Sequence, residues 1–466
     1  MAKMSNTTFD EIEIGASATL TRTLSKTDIE VLALVSGDAN PFHIKSENDS
    51  EVRSDESATQ GVGAEALVSA ALGTKLPGPG MKIIEQDLRF DGTIAVGDKL
   101  TATVTAKEKQ KKDALVIFDC LCVNQDGERL VTGTVAVSAP TKRISYSEVA
   151  PPQLVLRRGD AFIKLLKACE EIPPVVCAVV HPCDKNSLLG PIEAAKRGII
   201  EPVLVGPEDK IRNVAEAEEV DLSPFRIVST LHSHAAAEKA VELARAGEVE
   251  ALMKGSLHTD EFMGPVVPSA TGLRTSKRIS HVFVMDVPSY PRMLMITDAG
   301  INIYPKLEEK VDIVQNAIDL AHALGIAEPK VAILSAVETV NPKIESTIEA
   351  AALCKMADRD QITGGILDGP LAFDNAISEE AARTKHIVSP VAGLADILLV
   401  PDLEAGNMLA KQLSYLAGAE SGGVVLGTRV PIVLTSRADS VRSRLASAAV
   451  MALVAHARRT GQFPVS

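Results

Sequence analysis

A chain of 466 residues is too long for one hydrophobic core and is expected to hold two or three domains. Hydrophobic content of 46% suffices for globular packing, and no run reaches the apolar length of a membrane span. A formal charge of −13, with 3% aromatics and no Trp, argues against nucleic acid or anionic membrane as a partner, yet leaves room for a small anion held by local Arg and Lys. The six cysteines are scattered, include no Cys-x-x-Cys pair, and read as a reduced, cytoplasmic thiol set. The opening Met-Ala-Lys-Met-Ser-Asn-Thr-Thr lacks the apolar segment of a signal peptide.

In chain order, Ala18–Leu24 alternates as a strand, and Ser25 or Thr27 can cap a helix over Asp28–Val35. A turn-rich loop follows, Ser36-Gly-Asp-Ala-Asn-Pro-Phe-His43. Gly63–Gly73 predicts a helix of small side chains, around which a sheet can wrap closely. Pro77-Gly-Pro-Gly80 ends it, and Lys82–Phe90, Lys99–Glu108, Ala114–Asn124 and Arg129–Ser138 read as four strands. A helix cradled by an antiparallel sheet, an α+β unit, is the expected outcome.

Asp38 and His43 can act together on a water if their loop folds back across Asn40-Pro41; by spacing alone, a turn with two satisfied polar side chains serves as well. The motif resembles the signature of MaoC-like (R)-specific enoyl-CoA hydratases, which have the hot-dog fold, and the likeness covers about residues 8–140. The resemblance implies that Asp38 and His43 activate the water that adds to the enoyl thioester. It implies that Gly61 offers a backbone N–H to the thioester oxygen, with Ser69 as a substrate contact on the following helix. Gln60 stands where that family has histidine, and Lys45–Thr59 carries five acids. A non-catalytic acyl-CoA sensor is therefore the alternative reading of residues 1–140.

Residues 141–153 form a polar linker ending near Pro151-Pro152. Beyond it, apolar runs alternate with amphipathic helices: Val175–Val180, Glu201–Gly206, Ala251–Lys254, Met293–Thr297, Val331–Leu334, Gly365–Leu367, Ile397–Val400 and Ile432–Leu434. An α/β domain over 154–466 with a largely parallel sheet is expected, with its site at the carboxyl ends of strands. Asp298, Asp368, Asp374, Asp402 and Glu404 suit turns and helix caps better than a magnesium site. No histidine pair has zinc spacing and no Gly-x-Gly-x-x-Gly follows a first strand, so neither metal nor cofactor is expected.

The last strand leads through Ser436-Arg-Ala-Asp-Ser440 into a helix whose Val441, Leu445, Ala448 and Ala452 share a face. Free N–H groups at a helix start favour anions, and Arg437 adds a planar cation that grips phosphate in two places; a capped turn with a solvated arginine is the plainer account. Lys254-Gly-Ser-Leu-His-Thr259, Asp368–Asp374, Val391–Asp396, Val400–Asn407 and this turn together resemble the phosphate acetyltransferase/phosphate butyryltransferase family over about residues 155–462, with the butyryl-type motif the nearer. The resemblance implies two α/β lobes of the isocitrate/isopropylmalate dehydrogenase-like fold, one about 154–300 plus 431–466 and the other about 300–430. It implies acyl transfer between CoA and phosphate, with Ser436 and Arg437 catalytic and Arg274 or Arg278 on the phosphate side. Asn407 and Ser443 are further substrate-binding candidates, although some members carry an aspartate base at the position of Ser443. The expected whole is a bifunctional, cytoplasmic, homo-oligomeric enzyme of acyl-CoA, enoyl-CoA, phosphate and acyl phosphate.

Overall fold

The computed structural model describes residues 3–37, 58–59, 62–147, 160–435 and 439–461, and the chain divides into two compact units, residues 1–156 and 157–466. In the first unit Ser25 opens the helix Lys26–Ser36 by a reciprocal cap. Its hydroxyl accepts from the Asp28 N–H at 3.2 Å, and the Asp28 carboxylate accepts from the Ser25 N–H at 2.9 Å. Five antiparallel strands form one sheet in the spatial order Ser17–Thr23, Lys99–Gln110, Leu115–Val123, Arg129–Ser138, Lys82–Phe90. The period of two in Leu115–Val123 buries Val116, Phe118, Cys120 and Cys122. They share a core with Ala64, Leu67, Val68, Ala71 and Leu72 of the helix Val62–Thr74. Burial pushes the Cys120 and Cys122 thiols up to about 12 and about 11, which suits inert core residues. The predicted cradle around a small-residue helix is what forms.

The second unit is built on one eleven-stranded sheet, in the order Arg226–Ser229, Ile200–Gly206, Val175–Val180, Ala251–Lys254, Ile432–Val433, Glu420–Leu426, Ser280–Asp286, Leu294–Thr297, Ile397–Leu399, Lys330–Leu334, Ile366–Leu371. The first five are parallel, as are the last four. Between them Glu420–Leu426 and Ser280–Asp286 make three antiparallel junctions in succession. Three reversals leave the two parallel blocks pointing opposite ways, so the strand ends picked from the sequence do not share one edge.

The helix Val441–Arg459 is buried almost all round rather than on one face, from Arg444 through Ala455. It packs on one side of the sheet with Val282, Val284, Val424 and Val433, among residues of the helices Asp160–Glu170 and Leu307–Ala323. Its run of alanines is what lets so many neighbours approach it. The opposite side of the sheet is covered in two separate patches, one around Val425 and Ile432 and the other around Met285 and Leu294. No described helix is long and apolar enough to cross a membrane.

Candidate active site

Where the two patches part, the antiparallel strands form the floor of a cleft of about 710 Å³. Strand alternation sends Val282 and Val284 to the helix side, and His281 and Phe283 into the cleft, beside Ser421. One wall comes from the end of Ala251–Lys254, with Lys254, Leu257, His258 and Thr259, and from Leu434, Thr435, Asp439, Ser440 and Ser443. The other comes from Ala299 and Gly300 and from Asn407, Ala410, Lys411, Ser414 and Tyr415 of the helix Leu403–Leu416.

Each wall is held by its own polar bonds. Lys254 is 3% exposed and its Nζ donates to the Leu257 carbonyl at 3.1 Å. Thr435 Oγ1 donates to the Lys254 carbonyl at 3.2 Å and accepts from Arg444 Nη1 at 2.6 Å. Ser440 caps the helix Val441–Arg459 by accepting the Ser443 N–H at 3.2 Å. Across the cleft, the Asp298 carboxylate accepts from the N–H groups of Gly300, Ile301 and Asn302 at 2.8, 3.0 and 3.1 Å. Burial pushes that carboxyl up while these bonds pull it back.

Of the residues singled out in the sequence, Asn407 and Ser443 meet in this cleft. Arg274 and Arg278 are not among its lining residues. Arg274 is exposed in an isolated bridge with Thr428. Arg278 is committed elsewhere: Nε donates to Asn302 Oδ1 at 2.7 Å and Nη2 pairs with Glu309 at 3.0 Å. Ser69 sits half-buried on the helix Val62–Thr74. Asp38, His43, Gln60, Gly61, Ser436 and Arg437 lie outside the described residues. Thr435 and Asp439, which flank the Ser436-Arg437-Ala438 turn, both border the cleft. His281 was not singled out from the sequence, because its strand, Ser280–Asp286, was not read as one.

The acids weighed for magnesium have local roles. Asp368 accepts its neighbour Gly369 N–H at 2.9 Å, Asp374 lies 3.4 Å from Lys385, and Asp402 caps its helix through the Ala405 N–H at 2.9 Å. Among the described residues no group of three or more His, Cys, Asp or Glu is arranged to hold a metal. Two basic side chains of the second unit are engaged with acids: Arg197 with Glu193, and Lys277 with Asp319, both at 2.8 Å.

Residues 230–452 match the family described as "Phosphate acetyl/butaryl transferase", and residues 10–118 match "MaoC like domain". A phosphate acetyltransferase of Rhizobium meliloti is 67% identical over 301 residues, 65% of this chain and 95% of that protein. A phosphate butyryltransferase of Clostridium acetobutylicum is 46% identical over 286 residues, 61% and 94% of the two chains. A crystal structure of a branched-chain phosphotransacylase from Enterococcus faecalis V583 superposes with a TM-score of 0.54 at 30% identity, covering 60% of this chain and 99% of that one. That match corrects the expected fold of the second unit. It is the phosphotransacylase fold, with both halves sharing one sheet, and not the isocitrate/isopropylmalate dehydrogenase-like fold. The hot-dog expectation stands for the first unit, on the MaoC-like match and its cradled helix. With 95% of a 67%-identical relative covered, the chain belongs to the phosphate acetyltransferase/phosphate butyryltransferase family and carries a MaoC-like domain ahead of the matched residues 230–452.

Proposed function

We propose that the second unit exchanges an acyl group between CoA and inorganic phosphate in the cleft, and that the first, about residues 1–140, hydrates an enoyl-CoA with (R) specificity, with 141–153 as the linker. The observation that carries the first half is the position of the strand-to-helix turn. Residues on both sides of Ser436-Arg437-Ala438 border a cleft large enough for a thioester and a phosphate. The helix start beyond that turn favours an anion, and Arg437 would add a two-pronged guanidinium grip. A phosphate oxygen then attacks the thioester carbonyl, and CoA leaves as the thiolate. Holding the two reactants side by side is the main contribution asked of the protein.

Hydration rests on Asp38 and His43, with the Gly61 N–H at the thioester oxygen. No metal or other cofactor is needed for either step in this reading. The protein is proposed to work in the cytoplasm as a homo-oligomer, dimer or higher; a monomeric mass by light scattering at assay concentration would count against the oligomer. The test of the whole is thiol release from acetyl-, butyryl- and crotonyl-CoA with and without phosphate, together with the enoyl absorbance of crotonyl-CoA. Phosphate-dependent release with saturated esters supports transfer, and phosphate-independent loss of enoyl absorbance supports hydration. Unchanged enoyl absorbance would make the first unit an acyl-CoA sensor.

A further inference from the structure

The floor of the cleft holds a side chain that no capping, ion-pair or strand-register role explains. His281 is 3% exposed and lines the cleft. Its ring stands edge-on to Phe283, with centroids 4.5 Å apart and planes at 74°. Two glycines make room for it: a Cβ on Gly423 would fall 2.9 Å from Nε2, and one on Gly300 would fall 3.2 Å from Cγ. Its Nδ1 is buried without a hydrogen-bond partner among the described residues.

Such an arrangement costs stability if it is only packing. A phenyl ring would fill the same slot, keep an edge-to-face contact with Phe283 and leave no nitrogen unpaired. Buried polar atoms without partners in a folded protein call for a specific cause, and a site awaiting its ligand is one. Burial also pushes the imidazole down to about 4, so the ring is neutral at physiological pH. A ring of that basicity is a poor acceptor for a thiol proton, yet a neutral imidazole still carries one N–H.

We propose that His281 is a further residue of the transfer site, its ring N–H donating to the carbonyl oxygen of the acyl thioester as that oxygen gains negative charge. The proposal rests on the reading of the cleft as the transfer site. In the step it assists, a phosphate oxygen forms a bond to the carbonyl carbon and the π electrons move onto the carbonyl oxygen. The C=O bond then re-forms as the C–S bond breaks, CoA leaves as thiolate, and the thiolate takes its proton from solvent. His281 keeps its proton throughout, and nothing is oxidised or reduced.

The test uses the full chain with His281→Phe, His281→Asn and His281→Gln, assayed for phosphate-dependent thiol release from acetyl- and butyryl-CoA. The two amides keep an N–H near the places of Nδ1 and Nε2 respectively. His281→Phe should melt at or above the wild-type temperature and lose about 100-fold in kcat, with both KM values within about threefold. At least one amide should recover about tenfold of that loss. His281→Phe with kcat within about threefold of wild type overturns the proposal, as does an equal loss in all three variants that follows a lowered melting temperature. A wild-type chain inactive with every ester and phosphate sinks the transferase reading and this proposal together. An active wild type with an unimpaired His281→Phe sinks this one alone.

Discussion

Arg444 reaches from inside the core to Thr435, donating from Nη1 to its hydroxyl at 2.6 Å although the arginine is 1% exposed. The same Nη1 lies 3.4 Å from the Lys254 carbonyl, so one guanidinium ties the end of one strand to the residue before Ser436. A Cβ on Gly190 would fall 2.8 Å from the arginine's own Cβ, which shows how closely the helix Lys185–Lys196 passes. Arg444→Met keeps the bulk and removes the bonds. It should cost about 1–3 kcal/mol through the polar atoms left unpaired, with a melting temperature lower by several degrees. Calorimetry checks this, and an unchanged melting temperature would remove Arg444 as the anchor of the turn.

Arg437 should be the residue whose loss most affects the use of phosphate. Arg437→Lys keeps the charge but loses the planar, two-pronged geometry, at about 1.5–3 kcal/mol, or roughly ten- to a hundredfold in rate. Ser436→Ala should cost less, about 0.5–1.5 kcal/mol. Initial rates against phosphate at fixed acyl-CoA decide it. An Arg437→Lys variant with unaltered phosphate dependence and turnover would send the search to cations already in the cleft, Lys254 and Lys411.

Asp38→Asn and His43→Ala should each lower crotonyl-CoA hydration on the order of 100-fold or more, as expected for loss of an acid/base group. Phosphate-dependent thiol release should stay near wild type, because the two units have separate cores. Hydration that survives both substitutions would remove this pair from the reaction.

The cradle around Val62–Thr74 and the outer strands of the large sheet were legible because their patterns are pure: alternation in Leu115–Val123, continuous apolar runs in Val175–Val180 and Ile200–Gly206. The two strands that floor the cleft were not. Ser280–Asp286 mixes a buried serine and histidine with apolar residues, and Glu420–Leu426 opens Glu-Ser-Gly-Gly, a sequence that reads as a turn. Of their polar and glycine positions, His281 and Ser421 line the cleft and Gly423 packs against His281, so the site itself contributed to the weak strand signal. Asn407 and Ser443, singled out by the motifs, both line the cleft, whereas Arg278 bonds to Asn302 and Glu309.

Stability should fall with acid in a way that His281 sets. Burial holds its folded-state value at about 4, against an ordinary histidine value of 6.5. Between these values the unfolded chain takes up a proton that the folded one refuses. Stability is therefore full above about pH 6.5 and declines as pH drops toward 4, by at most about 1.4 kcal/mol per unit. The ionisable groups lining the same cleft are Lys254, His258, Lys411, Tyr415 and Asp439. Melting of wild type and His281→Phe from pH 7 to pH 5 should diverge, wild type losing more. Parallel slopes would contradict a neutral buried ring.

Exhaustive chelation should leave acyl transfer at its full rate, since Asp298, Asp368 and Asp402 each spend their oxygens on backbone N–H groups. Activity lost on chelation and restored by magnesium would overturn this.

The position of the helix Val441–Arg459 in the chain bears on how the protein is made. The first unit's core draws on residues from Phe9 to Ala139, so every side chain it needs has been polymerised before a third of the chain exists. The second unit's large core is threaded by Leu445 through Ala455, beneath strands that begin at Val175. A ribosome that still holds residues 441–459 in its exit tunnel carries an eleven-stranded sheet with nothing yet covering the middle of one side. During that interval the exposed valines of the central strands are the surface most in need of a chaperone. Slow decoding after residue 433 would prolong the exposure, whereas slow decoding near residue 156 would give the first unit time to close.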